Sequence, residues 1–404
     1  MDRGEICIIT QSHLCRNPRV LKEAVALAAE GHEVHIINCI YSADLLAQDK
    51  ELIKDYRINL HHAVNLTKTG YTSFLDKLVF KLGRSLIKYS GIESPIALGY
   101  GSYKYYSLAK SINADLYICH QELATFIGGK LLQNGFKTAF DFEDWYSEDL
   151  LPADRKQRPV QLLKKAEAFA LKNGTYCTTT SEALAEKLSI TYKCTAPEVI
   201  YNVFPLRTDL LNKKKEFAAP LKLFWFSQTI GPGRGLEEFI RLSANFKTGL
   251  EFHLLGYISA VYQKELKILL PTQHRMFLHK LLPENELASK IATFDIGLAL
   301  ELSTPPSRYY TITNKFFQYI QAGLPVIANK TAGQHEAFEK FRPGFTLSGN
   351  PTTDEIAALV DFLNSPLKLN EARGRAIEAA HFYKWKNESR KLIHLIKTAL
   401  EPAG

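Results

Sequence analysis

The sequence has no cysteines paired at dithiol or metal-binding spacing: Cys7, Cys15, Cys39, Cys119, Cys177 and Cys194 are scattered, with no C-x-x-C among them. That excludes zinc ribbons, dithiol redox centres and a secreted disulfide framework, and it fits a reducing cytoplasm. No apolar stretch reaches the roughly 18 residues needed to span a bilayer. Met1-Asp2-Arg3-Gly4-Glu5 runs straight into a short apolar segment without a basic-then-apolar leader. The expected location is therefore the cytoplasm, including the inner face of the cytoplasmic membrane. Short-period repeats and low-complexity tracts are missing too, which excludes solenoids and disordered tails.

What is present is an ordinary soluble composition, 46% hydrophobic and 23% charged over 404 residues. That length supports two cores rather than one. The formal charge of +8 favours anionic partners such as nucleotide diphosphates or phospholipid headgroups. Nucleic acid is anionic as well, but nothing beyond the charge points to it, and it is not an expected partner.

Residues 5–11 form an apolar run bounded by polar residues, as a buried parallel strand does. Asn17-Pro18 then reads as an N-cap with proline at the first helical position, and Gly31 ends a helix carrying Val20, Leu21, Ala24, Val25 and Leu27. Glu33 to Asn38 is the next strand, completing a βαβ unit that implies a parallel sheet. Strands near 58–63, 115–120, 137–141, 175–180 and 197–201 continue a doubly wound half. Asn202 to Pro220, polar and basic, reads as an interdomain linker. A second alternation starts at Leu221, with strands near 251–255, 275–279, 295–300 and 324–328. The expected class is α/β with two Rossmann-like domains, 1–204 and 205–386, and a last helix within 387–404 that packs back on the first.

Two segments carry the chemistry. In Ser227-Gln-Thr-Ile-Gly231-Pro-Gly233-Arg234-Gly235-Leu-Glu-Glu-Phe, a strand gives way to a glycine-rich loop and then a helix. Glycines let the backbone approach an anion, a helix N-terminus favours one, and the planar fork of Arg234 suits a diphosphate. A tight βα turn with a solvent-facing arginine is the competing reading. The spacing is not G-x-G-x-x-G and no early ribose-binding acid follows, so a dinucleotide loop is set aside. In the second segment, Thr311 to Ala328, Thr313 or Asn314 caps a helix, Lys315 lies in its first turn, and Gly323-Leu-Pro leads into a strand. A first-turn lysine opposes the helix dipole unless an anion is near. An ordinary amphipathic helix explains Phe316, Phe317 and Ile320, but not Asn314-Lys315.

Both segments resemble the donor-binding half of the GT-B glycosyltransferases, in particular the retaining family-four group. There, a loop similar to G-x-x-x-x-K/R-G and a segment similar to N-K-x-x-E-Y-x-x-A-G-L-P-V-I-A touch the nucleotide. Asn17 to Val34 is similar to the family's opening helix, and Ala114 to His120 resembles a strand ending in a histidine near the donor sugar. Asp141-Phe-Glu143-Asp144 resembles the family's Asp-x-His-Glu segment. The resemblance covers nearly the whole chain. It implies two domains facing across a cleft and transfer of a sugar from a nucleotide diphosphate, UDP- or GDP-linked, to a glycan or lipid-linked glycan in cell-surface polysaccharide, lipopolysaccharide or capsule synthesis. Retention of configuration also follows only from the resemblance. No cofactor is implied, since the nucleotide sugar is a substrate. Gln318 stands where the family has a ribose-binding glutamate and Tyr310 where it has another, so the ribose loses charge-assisted bonds.

The expected catalytic set is Arg234 and Lys315 as leaving-group clamp with His120, Asp141 and Glu143. Gly231, Gly233, Gly235, Tyr310, Thr313, Asn314 and Gln318 are expected at the donor, and Arg16 and Arg19 on the acceptor side. His120 reads either as a sugar-hydroxyl partner at a strand end or as a buried histidine satisfied by backbone. Asp141, Glu143 and Asp144 read as acceptor-orienting carboxylates or, if the reaction inverts, a general base. They could also suggest the D-x-D metal motif, but that belongs to a single-domain fold, and no metal is expected. Arg19 faces either the cleft or plain solvent. Residues 74–88 alternate apolar and basic positions at helical spacing, suiting either an anionic membrane surface or a core-facing helix with solvated lysines. A nucleotide-sugar epimerase of the same fold and a degenerate sugar-nucleotide-binding subunit are the competing functions.

Overall fold

The computed structural model describes residues 4–68 and 70–401. The chain forms two compact units: the described parts of Met1–Thr180, Leu184–Ile200 and Ser389–Gly404, and Ser181–Ala183 with Tyr201–Glu388.

The first unit is built on seven strands, β1 (Glu5–Ile9), β2 (Glu33–Ile40), β3 (Ile58–Asn65), β4 (Leu116–His120), β5 (Thr138–Phe142), β6 (Cys177–Thr179) and β7 (Glu198–Val199). They pair in the order β3-β2-β1-β4-β5-β6-β7, every ladder parallel. Near-continuous apolar runs such as Ile6-Cys7-Ile8-Ile9 are what a sheet covered on both faces requires, and these four residues are wholly buried. The helix Pro18–Ala29 starts as the sequence predicts: Asn17 accepts a bond from the Val20 N–H at 3.2 Å, with proline at the first helical position.

The second unit has six strands, β8 (Leu221–Ile230), β9 (Leu250–Ile258), β10 (Arg275–His279), β11 (Ile296–Ala299), β12 (Val326–Asn329) and β13 (Gly344–Leu347). Their order is β10-β9-β8-β11-β12-β13, again all parallel. Its core is aromatic: Phe224 stacks on Phe294 at 4.3 Å, and the buried Tyr319 hydroxyl donates to the Phe224 carbonyl at 3.0 Å. Tyr319 can lie across β11 because residue 297 is glycine; a Cβ there would sit 2.2 Å from the tyrosine ring. In both sheets the strand order reverses once, between β1 and β4 and between β8 and β11. The loops leaving the carboxyl ends of those four strands are where doubly wound sheets hold ligands.

Two sequence expectations need correction. Residues 202–220 are not a free linker: Leu210, Leu211 and Phe217 are buried in the second unit, and Arg373 donates to the Leu211 carbonyl at 3.1 Å. Strand β8 passes a bulge after Phe226 and pairs on to Ile230, where the glycine-rich loop begins. Strand β13 was not anticipated. The last helix, Trp385–Leu400, belongs to the first unit from Ser389 onward, where Lys137 donates to the Ala399 carbonyl at 2.8 Å.

The two sheets share one further detail. His35 Nδ1 lies 3.0 Å from His61 Nε2 between β2 and β3, and His253 Nδ1 lies 3.0 Å from His279 Nε2 between β9 and β10. In each case the second histidine pairs in register with the residue two beyond the first (Ile37 and Leu255), and a glutamate (Glu33 or Glu251) stands two residues before it. Burial, then the facing His35, holds His61 below the usual imidazole value, and burial is also the main cause of lowering at His253, where Lys222 and Lys290 act in the same direction, and at His279, where Lys290 and His253 do. Glu251 opposes it at His253. These rings favour the neutral form when folded, so their contribution is complete above pH 6.5 and lost as the pH falls below it. Replacing His61 and His279 by glutamine is expected to flatten the fall in Tm between neutral and mildly acidic pH, measured as the difference from wild type; an unchanged difference across that range would contradict the assignment.

Candidate functional site

In the second unit the chain leaves β8 at Ile230 and turns through Gly231-Pro232-Gly233-Arg234-Gly235 into the helix Leu236–Leu242. Gly233 and Gly235 both adopt φ of +77°, a conformation that glycine tolerates without strain. A Cβ on Gly235 would come within 3.3 Å of Asn329 Oδ1 and the Leu300 Cβ, so the turn lies against the chain leaving β11 and β12. A Cβ at Gly231 or Gly233 would meet nothing within 4 Å.

This arrangement aims Arg234 at Glu301, two residues past the end of β11. Arg234 Nη1 lies 3.2 and 3.3 Å from the two carboxylate oxygens, and Lys315 Nζ lies 3.1 Å from Oε1. The Glu301 N–H donates to Asn329 Oδ1 at 3.0 Å, and Arg308 donates to the Gly233 carbonyl at 3.1 Å. The Lys315 ammonium also stands 5.2 Å from the centre of the buried Trp225 ring. Burial pushes the Glu301 carboxyl up, but the charges of Lys315 and Arg234 outweigh it and hold the group below its ordinary value. Glu301 is thus an anion held between two cations. It was not singled out in the sequence, although an acid at the end of the buried run Ile296–Leu300 was a usable signal.

Lys315 occupies the first turn of the helix Asn314–Gln321, with Thr313 as N-cap but no bond from its side chain. The anion that offsets the helix dipole there is Glu301 itself, which corrects the inference that a first-turn lysine demands a bound phosphate. Asn314 is exposed on the same turn. Gln318 Oε1 is buried without a hydrogen-bond partner among the described residues, an acceptor left open where the family has a carboxylate. Tyr310 ends the short helix Ser307–Tyr310, whose backbone packs so closely on Gly333 that a Cβ there would lie 2.6 Å from the Tyr310 carbonyl oxygen.

The first unit gathers a different cluster at the ends of β4 and β5. Arg19 makes a two-pronged bond to Asp141, Nε to Oδ2 at 2.5 Å and Nη2 to Oδ1 at 2.7 Å, and donates to the Ile200 carbonyl at 2.6 Å. Thr178 donates to Asp141 Oδ1 at 2.6 Å. His120 Nε2 lies 2.6 Å from Glu23 Oε2, and its Nδ1 lies 3.0 Å from Asp141 and 3.2 Å from Glu143. Burial opposes charge on this ring, but Glu23 and Asp141 outweigh it and raise His120 well above its usual value, making it an imidazolium. Likewise burial would raise Asp141, while Arg19 and then His120 drive it far below the carboxylate range.

Several sequence expectations change accordingly. His120 is wholly buried and is satisfied not by backbone but by side chains, with both ring nitrogens facing carboxylates. Asp141 is no general base, since a carboxylate held so strongly in its charged form has little affinity for a proton. Arg19 is neither presented to an acceptor nor on the surface, being 4% exposed. Arg16 lies exposed in the turn Leu14–Arg16. Among the carboxylates around His120, Glu143 keeps the most access, its side chain 19% exposed and bonded by Asn17 Nδ2 at 2.9 Å. Glu23, one helical turn beyond Arg19, was missed; that i, i+4 spacing was its signal. His120, Asp141 and Glu143 offer three ligand atoms within 4.8 Å of one another. The guanidinium bound to both Asp141 oxygens would repel a cation there, so the cluster reads as an internal ion network.

Two doubly wound parallel sheets in one chain, each with a single switch point, define the GT-B class, and comparison with known proteins places the chain in that fold. No family model matches the sequence, and no curated protein matches it in sequence. Solved structures do match. Sucrose-phosphate synthase from Thermosynechococcus elongatus superposes with a TM-score of 0.68 at 15% identity, covering 98% of this chain and 99% of that one. HepE of Anabaena, solved with UDP and glucose, gives 0.67 at 15% identity over 98% and 100%. WaaG, a glycosyltransferase involved in lipopolysaccharide biosynthesis, gives 0.59 at 11% identity over 96% and 98%. The chain has the GT-B glycosyltransferase fold.

Proposed function

We propose that the protein is a metal-independent glycosyltransferase that moves a sugar from a UDP-linked donor to a glycan or lipid-linked glycan, working at the inner face of the cytoplasmic membrane in cell-surface polysaccharide synthesis. The observation that carries this reading is the convergence of Arg234 and Lys315 on Glu301 at the switch point of the second sheet. Two cations against one carboxylate leave a net positive site, with Arg308 adjacent and open space over Gly231 and Gly233. A diphosphate supplies the missing negative charge. The unpaired Gln318 acceptor offers one neutral bond to a ribose hydroxyl. UDP is preferred to GDP because HepE was solved with UDP and glucose.

The reaction breaks the bond between the anomeric carbon and a phosphate oxygen, which keeps the electron pair. Arg234 and Lys315 stabilise that oxygen's charge, the acceptor hydroxyl forms the new bond, and its proton passes to the departing phosphate. Retention of configuration rests on the family resemblance.

The test is a thermal-shift panel of UDP, UDP-glucose, GDP and GDP-mannose in the presence of a chelator. A ligand at 100 times its Kd adds about 2.7 kcal/mol of stability. A shift with uridine ligands supports the reading. No shift with any of the four, or a shift that needs a divalent cation, contradicts it. Product appearing without an added acceptor as an epimerised nucleotide sugar would favour an epimerase instead.

A further inference from the structure

The helix Tyr71–Ser90 turns its apolar side outward. Ser73, Asp76 and Gly83 are buried, and a Cβ on Gly83 would come within 2.7 Å of the Ile96 side chain, so this is the face that packs on the unit. Tyr71, Phe74, Leu78, Leu82 and Tyr89 follow one another at steps of three, four, four and seven residues, which places them on one stripe. All five are between 48 and 79% exposed. Lys77, Lys81, Arg84 and Lys88 repeat at steps of four, three and four, forming a second stripe beside the first. The expected alternatives for residues 74–88 are thereby separated: the stripe does not face the core.

An outward apolar stripe of this length on an otherwise ordinary surface marks an interaction site. The charges beside it indicate the partner. The only acid on the helix, Asp76, is 2% exposed and bonded to Lys104 at 2.7 Å and Tyr103 at 2.8 Å. Among the described residues no carboxylate forms an ion pair with Lys77, Lys81 or Lys88. The exposed helix is therefore apolar and cationic with no exposed anion of its own, so a second copy meeting it helix to helix would bring no negative charge to it. A lipid surface with anionic headgroups supplies both halves at once, acyl chains for the aromatic and leucine stripe and phosphates for the lysines.

We propose that the helix Tyr71–Ser90 is a docking surface for anionic phospholipid bilayers, lying in the interface plane with Phe74, Leu78 and Leu82 inserted and Lys77, Lys81 and Lys88 on headgroup phosphates. No helix of the described residues is long and apolar enough to cross a membrane, so this contact is peripheral. The surface is independent of the donor reading, because vesicle binding requires neither nucleotide nor turnover.

Flotation of the full chain is compared on vesicles of phosphatidylcholine alone and of equal parts phosphatidylcholine and phosphatidylglycerol. Wild type is expected to float with the anionic vesicles and not with the neutral ones. Substituting Lys77, Lys81 and Lys88 by glutamine is expected to weaken that binding roughly 100-fold, from about 1 kcal/mol for each cation near the surface. Phe74→Ser with Leu82→Ser is expected to weaken it about tenfold or more. All five side chains are exposed, so an unchanged Tm shows that both variants remain folded. Failure of wild type to bind anionic vesicles, undiminished binding by either variant, or a wild-type dimer in solution that Phe74→Ser with Leu82→Ser disperses would each overturn the proposal.

Discussion

Arg234→Ala and Lys315→Ala are each expected to lower kcat for release of UDP from UDP-glucose by roughly 10²- to 10³-fold, with far smaller changes in KM. The asymmetry follows from when the charge appears. A ground-state diphosphate carries its charge spread over both phosphoryl groups, whereas bond cleavage concentrates an additional charge on the departing oxygen. Groups that meet that charge act on the transition state more than on binding. Lys315 is 9% exposed, so its interaction is little screened by water, and Arg234, at 37%, has the freedom to turn from Glu301 toward a ligand. Removing Lys315 leaves Glu301 buried beside Arg234 alone, so loss of activity in that variant is scored only on protein with a wild-type folding transition. Arg234→Ala, at a part-exposed side chain, separates the two effects. Wild-type kcat in a folded Arg234→Ala protein would remove the clamp from the mechanism.

The same cluster shows how far the sequence could be read. The glycine-rich turn and the Asn-Lys segment were legible because each marks a local rule: glycine at positive φ, a strand passing into a helix, a lysine set against a helix dipole. Parallel pairing was legible from apolar runs too continuous for a half-solvated sheet. What stayed hidden was the partner of each charge. Glu301 stands 67 residues from Arg234, and only the β8–β11 pairing brings them together. His120 and Glu23 are 97 residues apart and meet through β1 and β4. A side chain's spacing says which element it rides on, but not whether a counter-charge waits across the sheet. That is why His120 and Asp141 read as reactive groups while the fold uses them on each other. The polar stretch 202–220 misled for a related reason: three apolar residues, Leu210, Leu211 and Phe217, anchor it, and the lysines between them simply face outward or pair with Asp295.

Arg19→Met is expected to destabilise the first unit by about 3–5 kcal/mol, or a fall in Tm of roughly 6–20 °C for a domain of this size. The guanidinium and the His120 ring are the two positive charges set among Glu23, Asp141 and Glu143; without Arg19 one cation faces three acids, and Asp141 stays 2% exposed with its strongest partner gone. Breaking one side of a buried pair costs far more than the pair contributes net, so Arg19→Met combined with Asp141→Leu is expected to recover much of the loss. The pH dependence has two signs. Asp141 is depressed on folding, so its contribution is present above its ordinary value of 3.8 and lost as acid is added. His120 is raised, so its contribution is complete below 6.5 and lost as the pH rises through the raised value. Both contributions are whole only between those two ordinary values, and the difference in unfolding free energy between wild type and Arg19→Met should be largest there. The two units need not unfold together, so the transition is followed by hydrogen exchange of the backbone amides of β1, β4 and β5, which lie in the first unit. A loss below about 1 kcal/mol, the range of an exposed ion pair, would mean that the network is not held as tightly as its geometry indicates.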